Sequence, residues 1–168
     1  QIVMSSVYRQ TSDGNARYAQ VDPQNRLLWR QNIRRLEFEP LRDSILAIGG
    51  TLDKTIGGKP FNLKDENSRR RTIYARIDRG SLPEVFNHFD FANPDMTSGK
   101  RYDTTVPQQA LFMMNSPQIN GQIRATFGTR LAQLVRKYRD DQDAISELYL
   151  MILSREPSDK ELKICREY

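Results

Sequence analysis

The chain has 168 residues and a formal net charge of +5, from 26 Lys and Arg against 21 Asp and Glu. One cysteine, Cys165, excludes an internal disulfide and a cysteine-rich metal site, and one histidine, His88, excludes a pair of histidine ligands. No apolar run reaches the length of a membrane span. The positive charge permits binding to acidic glycan, an anionic surface or nucleic acid, although a solvated basic face is the plainer explanation.

Residues 22–48 carry the first strong helical pattern, which opens with an Asp-Pro pair typical of a helix start. Apolar side chains recur in it at helical spacing, and Pro40 predicts a kink or a break between two helices. Arg42 lies largely off the apolar stripe. Gly49 and Gly50 predict the end of the segment.

Residues 51–68 are rich in Gly, Lys, Asp and Asn, which predicts a loop with the freedom to move. The stretch RRRTIYARIDR, at 69–79, holds β-forming residues in partial alternation and predicts one short strand. It is also the densest basic stretch of the chain. On a strand, Arg69 and Arg71 would share one face, and Arg70 would share the other with Arg76.

A loop dense in Asp, Asn, Pro and Gly follows a short helix that opens at Pro83. Phe89 and Phe91 are expected to anchor this loop in the core. A threonine at 104 or 105 is expected to cap the next helix, which should begin near Pro107.

The last third of the chain predicts helices with clear starts. Ser116 followed by proline is a helix start, and an apolar stripe then runs at helical spacing over 119–138. Another helix covers 145–153. Ser158 and Glu161 form a capping box before a last helix, on which Cys165 is expected to be a core thiol. Met113 and Met114 also read as core residues rather than haem ligands.

These elements predict a mainly α fold, an irregular helical domain with one or two short β-strands. Residues 1–168 are interpreted as a single domain. Because both ends of the sequence run through predicted helices, we expect it to be a piece of a longer protein.

Chemistry-bearing residues are sparse. His88 could act as a general base with Asp90 as its orienting carboxylate, although a lone histidine is more often a packed or surface residue. Asp90, Asp95 and Asp103 could offer oxygen ligands to calcium, but their spacing is not that of an EF-hand, and such residues also stabilise turns.

The arginine-rich stretch is the main candidate binding surface. A strand of this composition could lie along phosphates or sugar acids, whereas structural arginines paired with acidic groups are the plainer interpretation. No helix-turn-helix, zinc finger or RNA-binding motif accompanies it, which disfavours nucleic acid. The candidate binding residues are Arg69, Arg70, Arg71, Tyr74, Arg76, Arg79 and Arg101.

Several stretches, in the same order over nearly the whole chain, resemble one known family. They are YRQTS, DPQNRLLWR, RRLEFEPLRDSILAIGGTLD, RRRTIYARIDR, FDFANPD, TTVPQQALFMMNSP and LSREP. The chain resembles the planctomycete-specific domain of unknown function that forms the C-terminal part of large planctomycete proteins. Those proteins often also carry a cytochrome c-like module.

The resemblance implies that residues 1–168 are the C-terminal fragment of a longer multidomain protein. It also implies export to the periplasm or cell surface, with other domains of the same polypeptide as partners. No catalytic residue carries over from the family. No cofactor is expected in this chain, and haem would belong to a separate module, since the haem attachment motif is absent here. The family's suspected links, to envelope redox chemistry and to polysaccharide use, are associations only.

Two functional hypotheses follow. The first is a non-enzymatic cell-envelope module that binds a partner domain or an acidic glycan through the arginine-rich strand. The second is a fragment of an envelope enzyme whose other residues lie upstream, with His88, Asp90, Arg79 and Arg101 facing a shared cleft. The sparse acid–base inventory favours the first hypothesis.

Overall fold

The computed structural model describes residues 1–102 and 104–167. Over these residues the chain is mainly helical, with eight α-helices and no sheet, which confirms the mainly α class. Contacts group the chain into two compact units, Gln1–Arg35 and Leu36–Tyr168. The helices are α1 (Ala16–Val21), α2 (Phe38–Ile48), α3 (Glu84–His88), α4 (Pro107–Asn115), α5 (Pro117–Ile123), α6 (Arg130–Lys137), α7 (Asp141–Leu153) and α8 (Asp159–Glu167).

A tight polar loop follows α1 in the first unit, where the sequence predicted a helix start. The buried Asp22 accepts a hydrogen bond from the Leu27 backbone N–H at 2.7 Å. The buried Asn25 side chain donates to the Arg30 carbonyl oxygen at 2.7 Å and accepts from its N–H at 3.2 Å. Trp29 Nε1 donates to the Asp22 carbonyl oxygen at 2.9 Å. These side-chain bonds satisfy backbone groups that a helix would otherwise pair, so the predicted start is wrong.

Helix α2 begins at Phe38, so Pro40 falls in its first turn, and the predicted kink or break at Pro40 is wrong. Proline is tolerated there because the first backbone N–H groups of a helix have no partner within it. The predicted end is confirmed. Gly50 adopts a left-handed φ of 77°, and the Thr51 N–H donates to the Leu46 carbonyl oxygen at 2.9 Å.

The predicted strand at 69–79 is wrong. A 3₁₀ turn occupies Thr72–Tyr74. Among the described residues, β-type pairing is limited to two isolated bridges, which join Asp53 to Arg70 and Phe61 to Ala75. Side chains of α2 bind the backbone of this stretch directly. The groups that a neighbouring strand would pair are therefore already occupied.

Phenylalanines form the core around α2, α3 and α4. Phe38 lies 5.5 Å from Phe86, 5.2 Å from Phe89 and 5.9 Å from Phe112 between ring centroids. Phe91 lies 4.3 Å from Phe86, which is only 1 % exposed. Ring pairs at these separations add attraction beyond simple burial. The prediction that Phe89 and Phe91 anchor the loop is confirmed.

Helix α4 begins at Pro107 as predicted, but no threonine caps it. Its N-cap is Val106, which forms no side-chain cap bond. Thr104 instead donates to the Asp90 carboxylate, from its backbone N–H at 2.8 Å and its hydroxyl at 2.7 Å. The predicted start of α5 is confirmed, because Ser116 Oγ accepts from the Ile119 N–H.

The apolar stripe predicted over 119–138 does not form one helix. Helix α5 ends at Ile123, and α6 begins seven residues later, after Gly128 with a left-handed φ of 90°. Thr129 caps α6 by accepting from the Ala132 N–H at 3.4 Å. Phe127, expected on the buried stripe, is 91 % exposed in the connecting loop.

Helices α7 and α8 pack together, and the predicted capping box starts α8. Ser158 Oγ accepts from the Glu161 N–H at 3.4 Å, and the Glu161 carboxylate accepts from the Ser158 N–H at 2.9 Å. Helix α8 buries none of its residues. Cys165 is therefore exposed, with its sulfur 3.9 Å from the Tyr149 hydroxyl, and the predicted core thiol is wrong.

Candidate functional site

A buried arginine on α2 organises the polar interior of the second unit. The Arg42 side chain is 4 % exposed. Nη2 donates to the Ser68 carbonyl oxygen at 2.7 Å, and Nη1 donates to the Arg70 carbonyl oxygen at 2.9 Å and to Thr72 Oγ1 at 3.1 Å. Nε donates to Gln118 Oε1 at 3.2 Å. Burial lowers the pKa of Arg42, but every guanidinium nitrogen still has a protein acceptor.

The sequence reading missed this role. Arg42 stands four residues after Phe38 and four before Leu46, so it shares the buried face of α2 with both. That spacing was the available signal. An arginine at such a position must meet acceptors from elsewhere in the chain, because an unpaired buried guanidinium is costly.

Asp43 holds the same segment from the next position of α2. Its Oδ1 accepts from the Thr72 N–H at 2.8 Å and from the Thr72 hydroxyl at 2.7 Å. Arg71 Nε lies 3.9 Å from its other carboxylate oxygen. The arginine-rich stretch is thus fastened to α2 at Thr72.

Arg70 is a structural residue within the proposed binding surface. Its guanidinium donates to the carbonyl oxygens of Gly57 and Lys59 and lies 4.5 Å from the Tyr74 ring centroid. The Tyr74 hydroxyl accepts from the Gly57 N–H at 3.0 Å. Arg70 and Tyr74 together close the loop at 57–59, so their polar groups are already engaged.

The other arginines of the stretch differ in how free they are. Arg69 donates to a backbone carbonyl oxygen at 3.1 Å. The Arg71 side chain is 50 % exposed, and the Arg76 side chain is 72 % exposed with Asp78 at 3.9 Å. Arg79 is exposed and has no hydrogen bond or salt bridge to a described residue. Within this stretch, Arg71, Arg76 and Arg79 are therefore the guanidinium groups most available to an outside ligand.

Arg101, in the loop before α4, forms ion pairs with Glu37 and Glu39. It donates to both carboxylate oxygens of Glu39 at 2.9 Å and to Glu37 at 2.8 Å. Its guanidinium lies 4.5 Å from the Phe91 ring centroid. The hydrogen bonds to Glu39 raise the pKa of Arg101. The arrangement ties the loop before α4 to the first turn of α2.

His88 and Asp90, the candidate acid–base pair, have separate partners. His88 Nε2 lies 3.8 Å from a carboxylate oxygen of Glu84, one helical turn earlier. The Asp90 carboxylate accepts the bonds from Thr104, and Asp90 itself has a left-handed φ of 55°. Among the described residues, no hydrogen bond or salt bridge joins the two side chains.

The aspartates proposed as calcium ligands have different hydrogen-bond partners. Asp90 binds Thr104, while the Asp95 N–H donates to Asn93 Oδ1 at 2.9 Å in a local turn. Asp103 lies outside the described residues. Over residues 1–102 and 104–167, no group of three or more His, Cys, Asp or Glu side chains is arranged to hold a metal ion.

A small apolar cavity lies between α2, α4 and α5. Ile45, Phe112, Met113 and Ile119 are among its lining residues, and its volume is about 10 Å³. That is room for one water molecule at most, so the cavity is a packing defect rather than a ligand pocket. Met113 lies against the core here, whereas Met114 is 72 % exposed.

The fold and these contacts make the second unit a mainly helical structure built around a buried arginine and a phenylalanine cluster. The model of the PSD1 family, described as a protein of unknown function (DUF1553), matches residues 1–168. The chain belongs to this family. Comparisons with curated proteins and with solved structures find no match. Within the part of the chain that the structure describes, no helix has the length and apolar character to cross a membrane.

Proposed function

We propose that the chain is a non-enzymatic binding module of the cell envelope, and that it takes an acidic glycan at Arg71, Arg76 and Arg79. The observation that carries the proposal is the exposure of these guanidinium groups on a stretch whose backbone is fastened to α2. A fixed backbone with exposed arginines offers charge without having to order the chain first, which favours binding.

The geometry narrows the surface suggested by the sequence. Arg70 and Arg101 are held by protein acceptors, so a ligand would have to break those bonds to reach them. Arg71 and Arg76 have only distant carboxylate neighbours, at 3.9 Å each. Guanidinium groups pair well with the carboxylates of sugar acids, because both are planar and can form two parallel hydrogen bonds.

The enzyme alternative receives less support. It requires Asp90 and Arg101 to face a cleft shared with His88 and Arg79. Asp90 is bonded to Thr104, and Arg101 is bonded to two glutamates. Neither group is left ready for a substrate, so no observation favours this second function.

Titration of the full chain with polygalacturonate tests the proposal, with neutral dextran as the control ligand. Arg76→Gln with Arg79→Gln should abolish the binding heat, and binding to the unaltered chain should weaken at high salt. Lys54→Gln with Lys64→Gln removes the same charge from exposed positions elsewhere and should change little. If the two double variants lose the same amount of binding, the net charge of the chain explains the binding, and the proposal is contradicted.

Other parts of the proposal come from the family resemblance. They are export to the periplasm or cell surface, planctomycete origin, and a longer polypeptide whose other domains, including a haem module, would be partners. Binding of an isolated acidic domain in the same titration, but not of polygalacturonate, would assign the arginines to a protein partner instead.

A further inference from the structure

A second part of the chain, outside the arginine-rich stretch, is also basic. Residues 104–139 contain no Asp or Glu. Their five basic residues carry a formal charge of +5, equal to the net charge of the whole chain. The five are Arg124, Arg130, Arg136, Lys137 and Arg139. The remainder of the chain is therefore neutral on balance, and this segment is uniformly basic.

These cations have few carboxylate neighbours among the described residues. None of the five forms a salt bridge with a described residue, whereas Arg42, Arg71, Arg101, Arg155 and Arg166 each do. Asp140, the first acidic residue after the segment, pairs with Arg166 at 2.9 Å. Lys137 has the Tyr138 hydroxyl as its neighbour at 2.7 Å. Their charge remains available to an outside anion.

The loop between α5 and α6 holds a phenylalanine out into solvent. Thr129 is 5 % exposed, and its hydroxyl lies 2.9 Å from the Arg124 carbonyl oxygen and 2.8 Å from that of Thr126. The Arg130 N–H donates to the Gly49 carbonyl oxygen at 2.9 Å. The loop backbone is thus anchored at both ends, while the Phe127 side chain at its tip is 91 % exposed.

Three of the cations lie on the outward side of α6, which begins three residues after Phe127. Ala132 and Leu134 are buried, whereas Arg130, Arg136 and Lys137 are exposed. At 1.5 Å per residue, the exposed cations of α6 span about 10 Å along the helix. Arg124 and Ile123, which is 63 % exposed, lie on the other side of the loop. We call this surface the basic–apolar patch: Ile123, Arg124, Phe127, Arg130, Arg136 and Lys137.

We infer that the basic–apolar patch binds the surface of a bilayer containing anionic lipid. Phe127 and Ile123 would enter the boundary between headgroups and acyl chains, and the cations would lie among the anionic headgroups. Each contribution alone binds a membrane weakly, whereas apolar insertion and several cations together give measurable binding. The patch is an attachment to one face of a membrane and involves no crossing of it.

A lipid surface fits the patch better than a protein pocket does. The exposed Phe127 ring has almost no neighbouring protein to fix its orientation, while a protein pocket requires a fixed shape. Among the described residues, no carboxylate forms a salt bridge that would hold the arginines of the patch in one geometry. Mobile headgroups can adapt to cations spread along a helix, and fluid acyl chains can adapt to a ring of any orientation.

Sedimentation of the full chain with vesicles tests this inference. We expect binding to phosphatidylcholine vesicles that contain about a third phosphatidylglycerol, and little binding to phosphatidylcholine alone. Phe127→Ala should lower the partition coefficient roughly tenfold, as expected for removing one large apolar side chain. Arg124→Gln with Arg130→Gln should lower it by a similar factor, and about 0.5 M salt should weaken binding of the unaltered chain.

Matched control variants distinguish binding through the patch from non-specific binding to vesicles. Ile56→Ala removes an apolar side chain that is 86 % exposed elsewhere, and Lys54→Gln with Lys64→Gln removes two exposed cations elsewhere. Both should sediment like the unaltered chain. Failure of the unaltered chain to sediment with anionic vesicles overturns the inference, as does an equal loss in patch and control variants. Circular dichroism of each variant confirms that folding is intact.

Discussion

Arginine occupies opposite environments around Arg42 and in the basic–apolar patch. At Arg42, a buried guanidinium satisfies carbonyl oxygens of Ser68 and Arg70 and so joins α2 to a distant segment. In the patch, Arg124 and Arg130 have no carboxylate partner among the described residues and remain exposed. The charge of an arginine therefore does not by itself show whether the side chain is structural or available for binding. What decides its role is whether the fold brings acceptors to it.

The largest expected difference in stability is between two Phe→Ala substitutions, one in the phenylalanine cluster and one in the basic–apolar patch. Phe86 is 1 % exposed within the phenylalanine cluster, and Phe127 is 91 % exposed. Phe86→Ala should lower the free energy of unfolding by about 4 kcal/mol, because it leaves a cavity in the core. Phe127→Ala should leave that free energy nearly unchanged. Urea unfolding measures both, and a comparable loss for Phe127 would mean that its loop is part of the core.

The next effect concerns the two kinds of arginine. Arg42→Met should cost about 3 kcal/mol of unfolding free energy, because buried carbonyl oxygens lose their donors. Arg139→Met, at an exposed position without a salt bridge to described residues, should cost little. Urea denaturation again measures the difference. If the two variants are equally stable, Arg42 does not organise the interior.

A smaller effect is expected at Arg101, whose side chain is 26 % exposed. Arg101→Met removes its bonds to Glu37 and Glu39 and should cost about 1 kcal/mol, as for a well-aligned ion pair near the surface. Lys100→Met provides the exposed control at the neighbouring position. Thermal unfolding at low and high salt measures both, and the difference between them should shrink as salt rises. A salt-independent difference would indicate that packing on Phe91, rather than charge, carries the contribution.

The smallest effect is a pH dependence at the start of α8. Hydrogen bonds from Arg155 and then from Ser158 hold the pKa of Glu161 far below its ordinary value of 4.5. A lowered folded-state pKa contributes stability above the unfolded pKa, and this stability is lost as pH falls through the folded pKa. The Tm of the unaltered chain should therefore fall below about pH 5 more steeply than that of Glu161→Gln.

Glu156→Gln is the control for this pH profile. Glu156 is exposed, and its carboxylate accepts no hydrogen bond from the described residues. The profile of this variant should follow that of the unaltered chain. If Glu161→Gln follows it as well, the bonds seen at Glu161 contribute nothing to the stability of the folded state.

Local signals in the sequence predicted local structure well. The serine caps of α5 and α8, the proline at the start of α4 and the glycines at the end of α2 are all confirmed. Each depends on hydrogen bonds or φ preferences within a few residues of the same chain segment. Such preferences act before any tertiary packing, and so they can be read from the sequence directly.

Predictions failed where distant residues compete for the same backbone. The β-forming composition of 69–79 predicted a strand, but Arg42 and Asp43 bind its backbone from about thirty residues away. The failure at 119–138 has a local cause instead: the apolar spacing predicted one helix, but Gly128 and Thr129 within the stripe divide it. Of the candidate binding residues, Arg71, Arg76 and Arg79 remain available, whereas Arg70 and Arg101 are committed to protein partners.

The mainly helical class, several helix ends, the phenylalanine anchors and the lack of acidic residues in 104–139 follow from the sequence alone. Which arginines are buried, and that Phe127 lies outside the core, became evident only from the folded chain. The two sets of features depend on interactions of different range. Helix caps and charge content depend on neighbours in sequence, whereas the environment of a long cationic side chain depends on acceptors that folding brings from far along the chain.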